Sequence, residues 1–376
     1  MRINKIELFR INLQFKESFK HSLMDRSESA SIILKLASDD DLRGYLCGYG
    51  ESIARDYLTG ESTESMVKDL TIFLKKMKKL KPEFKSFEEI KIFIKKINLR
   101  PAAKSCIDLA LLDLGSKYFK AQMLEPEVNE IYYSAPVSLS SGFPFFIKLL
   151  KIKFFGIKHV KIKLDSDIAQ NEERLKVARM ILGKRIRIGV DANCSWTKEI
   201  FGNMISILEK YEVSFCEQPL SKKELFSEDL QNLTKIPIMA DESFISLADA
   251  KKLTEKNSAK ILNIRIAKLG GIIAAQEAIE FARKNKLQFQ IGCLAGESGI
   301  LSAAGRVLAA HNPDAISVEG SYGKYILKQD IIKQDISFGR YGKALIVSGL
   351  NSEFGLGIEI NDELLKNNLV LLLEKT

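Results

Sequence analysis

Hydrophobic and polar positions along the chain follow one period at first and then another. Residues 1 to about 60 hold three alternating stretches separated by turn signals, KIELFRINL, SASIILKLA and YLCGYGES, and this pattern predicts strands. From about 61 to 120 the apolar residues recur every three or four positions, ending in AAKSCIDLALLDLGSKYF, which predicts helices. We therefore expect an α+β domain over residues 1–128.

From Ile131 onward the pattern changes to a strand followed by a helix, repeated several times. The strand candidates are IYYSAPVSL, HVKIKL, IRIGVDAN, VSFCEQP, IPIMADE, ILNIRIAKL, LQFQIGC and AISVEGS. Segments such as NEERLKVARMIL and GIIAAQEAIEFARKN fill the gaps with helical periodicity.

Polar residues near the carboxyl ends of these strands recur at nearly constant spacing. The positions are Lys163, Asp191, Glu217, Asp241, Lys268, Cys293 and Glu319. The steps between them are 28, 26, 24, 27, 25 and 26 residues, as expected for one repeating β-α unit. Eight such strands close a parallel barrel, so we predict a (β/α)7β-type TIM barrel over 129–345.

Three acidic residues end three consecutive strands of this predicted barrel: Asp191 in VDAN, Glu217 in CEQP and Asp241 in ADES. Clustered carboxylates raise one another's pKa unless a cation lies among them. Ligands that are all oxygen suit Mg²⁺ first and Mn²⁺ next. We predict such a metal site, with Asn193 and Glu242 either supporting the ligands or capping loops.

Two lysines on the second strand and one on the sixth complete the candidate chemistry. Lys161 and Lys163 lie two positions apart and therefore point to the same face of their strand. We expect Lys161 to lower the pKa of Lys163, so that Lys163 acts as a general base, while Lys268 ends strand six across the barrel mouth. Such a pair exchanges a proton at either face of the carbon next to a bound carboxylate, and the metal stabilises the enediolate.

Composition and charge exclude several other classes of protein. The net charge of +9 comes from lysines scattered over amphipathic stretches, which argues against nucleic-acid binding. No apolar run is long enough to cross a bilayer, and the N-terminus lacks the apolar block of a signal peptide, so we expect a cytoplasmic protein. The five cysteines form no CxxC pair and the three histidines avoid the strand ends, which excludes a zinc site and imidazole catalysis.

With these motifs in place, the chain resembles the enolase superfamily, and within it the muconate-lactonizing subgroup of dipeptide epimerases, o-succinylbenzoate synthases and muconate cycloisomerases. GYGES at 48–52 and AAKSCIDLALLDLGSK are similar to its capping domain, and KIK, VDAN, EQP, ADES and NIRIAKLGG to its barrel strands. FGLGIEI at 354–360 is similar to a closing segment, so 346–376 is expected to return to the capping domain.

This resemblance implies Asp191, Glu217 and Asp241 as Mg²⁺ ligands and Lys163 and Lys268 as the acid/base pair, with Lys161 tuning Lys163. It also implies a small-molecule carboxylate substrate and, by analogy, a homo-oligomer. The candidate substrate contacts are Glu297 in CLAGES, Ser317 and Glu319 on strand eight, Ser138 on strand one, and Arg26, Arg55 and Tyr57 in two expected capping loops, 16–26 and 51–61.

Three functions stay open at this point. The first is a racemase or epimerase of a dipeptide or N-acyl amino acid, in which both lysines exchange protons. The second is a cycloisomerase or syn-dehydrating lyase, in which Lys163 is the base and Lys268 stays cationic. The third is a non-catalytic barrel that binds an acidic ligand.

Overall fold

The N-terminal part of the chain is built from long antiparallel strands followed by helices. The computed structural model describes residues 1–21, 24–41, 43–227, 229–346 and 354–374. The first elements are β1 (Lys5–His21), β2 (Met24–Asp40), β3 (Gly44–Ser52), α1 (Asp56–Thr59), α2 (Thr63–Leu80), α3 (Phe87–Lys95) and α4 (Pro101–Phe119). Alternating residues of β1 such as Ile6 and Leu8 are buried, as the period-two pattern predicts. Ser62 begins α2 with a capping box.

The rest of the chain alternates strands with helical segments from residue 135 to residue 311. These elements are β4 (Glu130–Tyr132), β5 (Ala135–Val137), α5 (Gly142–Phe155), β6 (His159–Lys163), α6 (Ile168–Leu182), β7 (Arg187–Asp191), α7 (Lys198–Lys210), β8 (Phe215–Glu217), α8 (Lys222–Ser227), β9 (Ile238–Ala240), α9 (Leu247–Glu255), β10 (Ile261–Ile264), α10 (Ile266–Leu269), α11 (Ile272–Lys284), β11 (Gln288–Ile291), α12 (Gly299–His311), α13 (Gly323–Ile326), β12 (Lys343–Leu345), α14 (Asp362–Lys366) and β13 (Leu369–Glu374).

Seven of these strands form one parallel sheet in the order β11-β10-β9-β8-β7-β6-β5. Each neighbour in that order is also the neighbour in sequence, and at least one helix separates every pair, so the predicted β-α repeat is confirmed. Single parallel bridges join Val318 to Ile291, at the end of β11, and to Tyr133, just before β5.

The chain ends beside its beginning. β13 pairs antiparallel with β1, from Lys5 opposite Glu374 onward, and the resulting sheet has the order β13-β1-β2-β3. The segment 16–26, expected to be a loop, is strand over its described residues, because β1 and β2 continue as a hairpin. Ser22 and Leu23 within it lie outside the described residues.

Helix α4 lies between the antiparallel sheet and the barrel-like part. Buried carboxylates on α4 and on β3 accept hydrogen bonds from helices of the barrel-like part. The Asp108 carboxylate accepts hydrogen bonds from the backbone N–H of Ile272 (2.8 Å) at the start of α11. Glu51, at the end of β3, accepts from the backbone N–H of Ser298 (2.9 Å) and of Leu301 (3.0 Å) at the start of α12. Both acids therefore hold the two parts in register through helix N-termini. No helix in the described ranges combines the length and apolarity of a membrane span.

Candidate active site

Four neighbouring strands bring one lysine and three acids to the same end of the parallel sheet. Lys163 is paired with Asp191 across β6 and β7, and Asp191 with Glu217 across β7 and β8. Asp241 follows the last residue of β9. All three carboxylates are buried, so the sequence prediction that they lie together at the strand ends agrees with their positions.

Cationic side chains lie between these carboxylates. The Lys163 ammonium is 2.8 Å from Asp191 Oδ2. Lys161 Nζ is 2.7 Å from Glu217 Oε2 and 2.7 Å from Glu319 Oε1. Each acid is therefore balanced by a side-chain cation, as burial of a charge requires.

Arg265 is the third cation among these carboxylates, and the sequence patterns do not predict it. Its Nη2 lies 2.5 Å from Asp241 Oδ2 and 3.6 Å from Glu217 Oε1. Arg265 directly follows β10, whose last residue is Ile264. The strand-end spacing could have found it, since Arg265 lies 24 residues after Asp241.

Lys268 does not end strand six, contrary to the prediction. The chain turns into the short helix α10 after Arg265, and Gly270, in the left-handed region (φ 97°), ends that turn. Lys268 is completely buried, and its ammonium donates to Asp241 Oδ1 (2.9 Å) and to the carbonyl oxygens of Asp241 (2.9 Å) and Asn263 (2.8 Å). All three ammonium donors are thus used inside the protein.

The electrostatics of the cluster follow from burial and from these pairs. Burial raises the pKa of Glu217 to about 7, against the effect of Lys161, and repulsion from Asp191 and Asp241 adds to the increase. Burial also raises the pKa of Asp191, but Lys163 and Lys161 together bring it below its ordinary value. The pKa of Lys161 is lowered by burial and raised further by its carboxylate neighbours, so that it ends well above its ordinary value.

Asn193 and Glu242 connect to this cluster directly. Asn193 Oδ1 accepts a hydrogen bond from Lys163 Nζ (2.5 Å), and its Nδ2 donates to Glu242 Oε1 (3.1 Å). Asn193 has a positive φ of 44°, which the hydrogen bond from its backbone N–H to Asp191 Oδ1 (2.9 Å) supports. Burial, with repulsion from Asp241 and Asp191, raises the pKa of Glu242 to about 8.

The donor set suits a hard divalent cation. The ligand candidates offer only carboxylate oxygens, and the buried Glu242 Oε2 accepts no hydrogen bond from the described residues. With the lysines and Arg265 between them, the described carboxylates form no group of three already arranged around a metal position. These carboxylates are the type of ligand that Mg²⁺ prefers. In this structure their negative charge is balanced by lysine and arginine side chains, which can change rotamer.

A cavity of about 60 Å³ opens over this cluster. Its walls include Lys161, Lys163, Asp191, Asn193, Glu242 and Arg265 from the strand ends, with Tyr57, Pro136, Cys293, Ala295, Glu319, Tyr322 and Ile326 above them. We call it the mouth cavity. Tyr57 and Glu319, two of the predicted substrate contacts, thus line the mouth cavity, whereas Lys268 is absent from its walls.

The other predicted substrate contacts lie elsewhere. Ser317 donates to Gln290 Oε1 (2.5 Å) and lines a space of about 10 Å³ and a cavity of about 410 Å³, but not the mouth cavity. Ser138 accepts a hydrogen bond from Lys148 (3.0 Å) in a neighbouring cavity. Buried Glu297 lines a small space beside Arg265 and Glu319, and burial, with repulsion from Glu51, raises its pKa to about 8.

The two arginines of the expected capping loops have different surroundings. Arg55 Nη2 donates to Ser29 Oγ (2.8 Å) and to the Ala295 carbonyl (3.1 Å), so it fastens the N-terminal sheet to the loop after β11. Burial and the nearby Arg26 lower the pKa of Arg55 to about 10. Arg26 lies on β2 and does not line the mouth cavity.

Comparison with known proteins gives one consistent family. Residues 151–364 match the family model described as enolase C-terminal domain-like. The hydrophobic dipeptide epimerase of Enterococcus faecalis is 27% identical over 86% of this chain and 92% of its own length. The N-succinyl-L-Arg/Lys racemase of Bacillus cereus is 27% identical over 97% of each protein. The o-succinylbenzoate synthase of Bacillus subtilis is 25% identical over 97% of this chain and 96% of its own.

Solved structures of the first two relatives share the fold. The Bacillus cereus racemase superposes with a TM-score of 0.86 at 25% identity over 99% of both chains. The Enterococcus faecalis epimerase, complexed with Mg and the dipeptide L-Leu-L-Tyr, gives a TM-score of 0.84 at 24% identity, over 96% of this chain and 100% of its own. The matched model covers more than half of the chain, so this protein belongs to the enolase C-terminal domain-like family and thereby to the enolase superfamily.

Proposed function

We propose that this protein is a Mg²⁺-dependent racemase or epimerase that removes the proton next to the carboxylate of an N-acyl amino acid or a dipeptide. The observation that carries this proposal is the arrangement at the strand ends, where Lys163 lies against Asp191 in the wall of the mouth cavity and Glu217 and Asp241 end the next two strands. The names of the similar proteins, two of which are a dipeptide epimerase and an N-succinyl amino acid racemase, support the same reaction class.

In this proposal Asp191, Glu217 and Asp241 hold Mg²⁺, with Mn²⁺ as the alternative ion. When bound, the ion would attract the substrate carboxylate and stabilise the negative charge that develops as the proton leaves. Lys163 takes the proton, because it is the lysine of the mouth cavity that also contacts Asn193, a neutral group able to orient it. Lys161, paired with Glu217 and Glu319, supplies a second positive charge beside it.

The side chain that lies on the face of the substrate α-carbon opposite Lys163 distinguishes two reaction types. Racemisation needs a proton donor there, and the sequence assigns that role to Lys268. In the structure Arg265 faces the cavity instead, and a guanidinium does not lose its proton in proteins. A two-base reaction therefore requires the Lys268 ammonium to leave its acceptors on Asp241 and Asn263 and reach the cavity.

That observation favours a second candidate function. A cycloisomerase or syn-dehydrating lyase uses Lys163 on one face only, while a permanent cation opposite it stabilises negative charge. Arg265 meets that requirement as it stands. The similarity to the o-succinylbenzoate synthase of Bacillus subtilis is consistent with such a lyase.

Four further features are part of the same proposal. We infer that the parallel sheet closes into a complete barrel, since Val318 bridges both Ile291 and Tyr133. The domain limits remain 1–128, 129–345 and 346–376. A cytoplasmic location and a homo-oligomer stay predictions, the latter testable by light scattering coupled to gel filtration.

Proton NMR in D₂O with Mg²⁺ tests the function. Loss of the α-proton signal is followed across a library of dipeptides and N-acyl amino acids, with the Lys163→Ala variant as control. Exchange with inversion of configuration, abolished in the variant, supports the racemase. Exchange with full retention supports the one-face candidate, and no exchange with any member contradicts the racemase and directs the search to cycloisomerase and synthase substrates.

A further inference from the structure

The two edge strands of the antiparallel sheet β13-β1-β2-β3 differ in how their outward backbone groups are satisfied. At the β3 edge, side chains of α4 make the hydrogen bonds. The Tyr49 N–H donates to Asp113 Oδ2 (2.8 Å), and Lys117 Nζ donates to the Cys47 carbonyl oxygen (2.9 Å). The β3 edge is therefore closed to a further strand.

The β13 edge has no comparable cover. β13 pairs with β1 on one side, and no side chain within the described ranges hydrogen-bonds a backbone group of Leu369–Glu374 on the other. An edge strand presents a row of N–H and C=O groups, and proteins usually protect such a row with lysine or proline. Residues 369–373 include neither, so β13 offers its free edge to another strand.

The exposed side chains of β13 are apolar. Leu371 and Leu373 are half-buried against the hydrophobic core. Val370 and Leu372, on the opposite face by strand alternation, are each 44% exposed, as is Leu369 at the start of the strand. A neighbouring strand would remove part of this apolar area from water, which favours its association.

The charges around β13 compensate one another. Four cations and five acids on β13 and on the nearby β1, β2, α2 and α14 form ion pairs: Lys5 with Glu7 and Glu374, Lys35 with Asp362, Lys366 with Glu363, and Arg10 with Glu64. The chain as a whole carries a net charge of +9, so repulsion opposes most contacts between two copies. The surface around β13 avoids this repulsion.

A second exposed apolar surface lacks this charge balance. Helix α5 exposes Phe143 (73%) and Phe154 (80%), but its 14 residues include three lysines and no acid. Two copies that met through α5 about a two-fold axis would bring these lysines together, because a two-fold contact uses the same surface on both copies. A second copy therefore fits β13 better than α5.

We propose that two copies of this chain pair through β13, antiparallel about a two-fold axis, so that their two four-stranded sheets become one continuous sheet. An antiparallel strand edge is complementary to itself, because a two-fold axis repeats every contact of residue i with residue j as a contact of j with i. The inference goes beyond the proposed function and uses none of the residues of the mouth cavity. It gives the predicted homo-oligomer a defined interface.

Light scattering coupled to gel filtration tests the interface. In Leu372→Lys two lysines enter it, one from each copy, and we expect its dissociation constant to rise by at least about a hundredfold and the measured mass to be half that of the wild type. Val370→Lys should act in the same way and replaces Leu372→Lys if a thermal melt shows that the latter is unfolded. Leu80→Lys, at a leucine of α2 that is 67% exposed, is the matched control and should keep the wild-type mass.

Hydrogen exchange followed by mass spectrometry tests whether the backbone of β13 makes the contact. Peptides that cover Leu369–Glu374 should exchange at least about tenfold more slowly in the wild type than in Leu372→Lys, because strand pairing protects amides. Peptides from β3, whose edge is closed by α4, should exchange equally in both proteins.

The outcomes separate this inference from the other proposals. A wild-type oligomer whose mass is unchanged in Leu372→Lys and in Val370→Lys would overturn the inference and leave the homo-oligomer prediction in place, as would equal exchange of the β13 peptides. A monomeric wild type would overturn both. Neither measurement depends on turnover, so α-proton exchange remains a separate test of the proposed reaction.

Discussion

Two groups of buried carboxylates in this protein differ in the groups that compensate their negative charge. At the junction of the N-terminal sheet and the barrel-like part, Glu51 and Asp108 accept hydrogen bonds from backbone N–H groups at helix starts. At the strand ends, Asp191, Glu217 and Asp241 are paired with lysine and arginine side chains. We call the first group the junction carboxylates and the second the mouth carboxylates.

The difference separates structure from function. A backbone N–H at a helix start is held in place by the helix and cannot rotate away from its acceptor, so we expect a junction carboxylate to contribute mainly to stability. A lysine or arginine side chain swings away through rotations about single bonds. A mouth carboxylate can therefore exchange its protein cation for a metal ion, and the burial of its charge is tolerated in either state.

The largest expected effect is on catalysis at the mouth. In Lys163→Met the proposed base is lost, and we expect kcat for α-proton exchange to fall by about 10²- to 10⁴-fold, the usual contribution of a general base. Initial rates and a thermal melt are measured on the same preparation. Lys153→Met serves as the control with unchanged kcat, and a Lys163→Met enzyme with more than a tenth of the wild-type rate would contradict the assignment.

The next effect is on stability at the junction. Glu51→Ala leaves the backbone N–H of Ser298 and of Leu301 buried without an acceptor, and we expect the free energy of unfolding to fall by about 3 kcal/mol or more. Urea denaturation measures it. Glu217→Gln should lose activity but lose less stability than Glu51→Ala, because the amide oxygen still accepts from Lys161 and the Asn263 amide can rotate so that its Oδ1 accepts from the new NH2 group. Equal destabilisation in the two variants would remove the distinction between the groups.

A pH dependence of stability should mark the junction carboxylate Asp108. Burial raises its pKa to about 7 in the folded protein, from about 3.9 in an unfolded chain. The folded state thus binds more protons between these values, and the wild-type unfolding free energy loses this contribution as pH rises toward 7. Between pH 5 and pH 8 the loss is roughly 2 to 3 kcal/mol.

The Asp108→Asn variant tests this, since asparagine keeps an oxygen acceptor for Ile272 but does not titrate. The urea midpoints measured at pH 5 and at pH 8 should differ less in the variant than in the wild type. Parallel pH profiles for the two proteins would show that Asp108 is not the titrating group.

The sequence predicts the mouth carboxylates well for a simple physical reason. Parallel strands that repeat with their helices place corresponding residues at one end of the sheet, so regular spacing alone brings Asp191, Glu217 and Asp241 together. Period-two alternation likewise puts Lys161 and Lys163 on one face, and both line the mouth cavity.

The sixth strand shows what local pattern cannot supply. ILNIRIAKL is apolar enough to be one strand of nine residues, which would put Lys268 at its end. In the structure the Asp108 side chain of α4 packs closely against Gly271, the residue directly before α11. A Cβ added to Gly271 would lie 2.1 Å from the Cγ of Asp108. The chain leaves the sheet after Ile264, and the contact that positions the start of α11 is separated from it by 164 residues in sequence. Arg265 takes the strand-end position as a result.

The smallest expected effect concerns Arg55, a cation that belongs to the junction but touches a wall of the mouth cavity. Its guanidinium bridges Ser29 and the carbonyl of Ala295, and Ala295 lines the cavity. Arg55→Lys retains the charge, but one ammonium cannot reproduce the forked geometry of the guanidinium at both acceptors. We expect KM to rise about two- to threefold with kcat unchanged, and the unfolding free energy to fall by about 1 kcal/mol. Steady-state kinetics and urea denaturation measure both, with Arg100→Lys, at an arginine paired with Asp69 away from the cavity, as the control. A fall in kcat without a change in KM would instead place Arg55 among the groups that act on the reacting carbon. Arg55 would then belong to the mouth as well as to the junction.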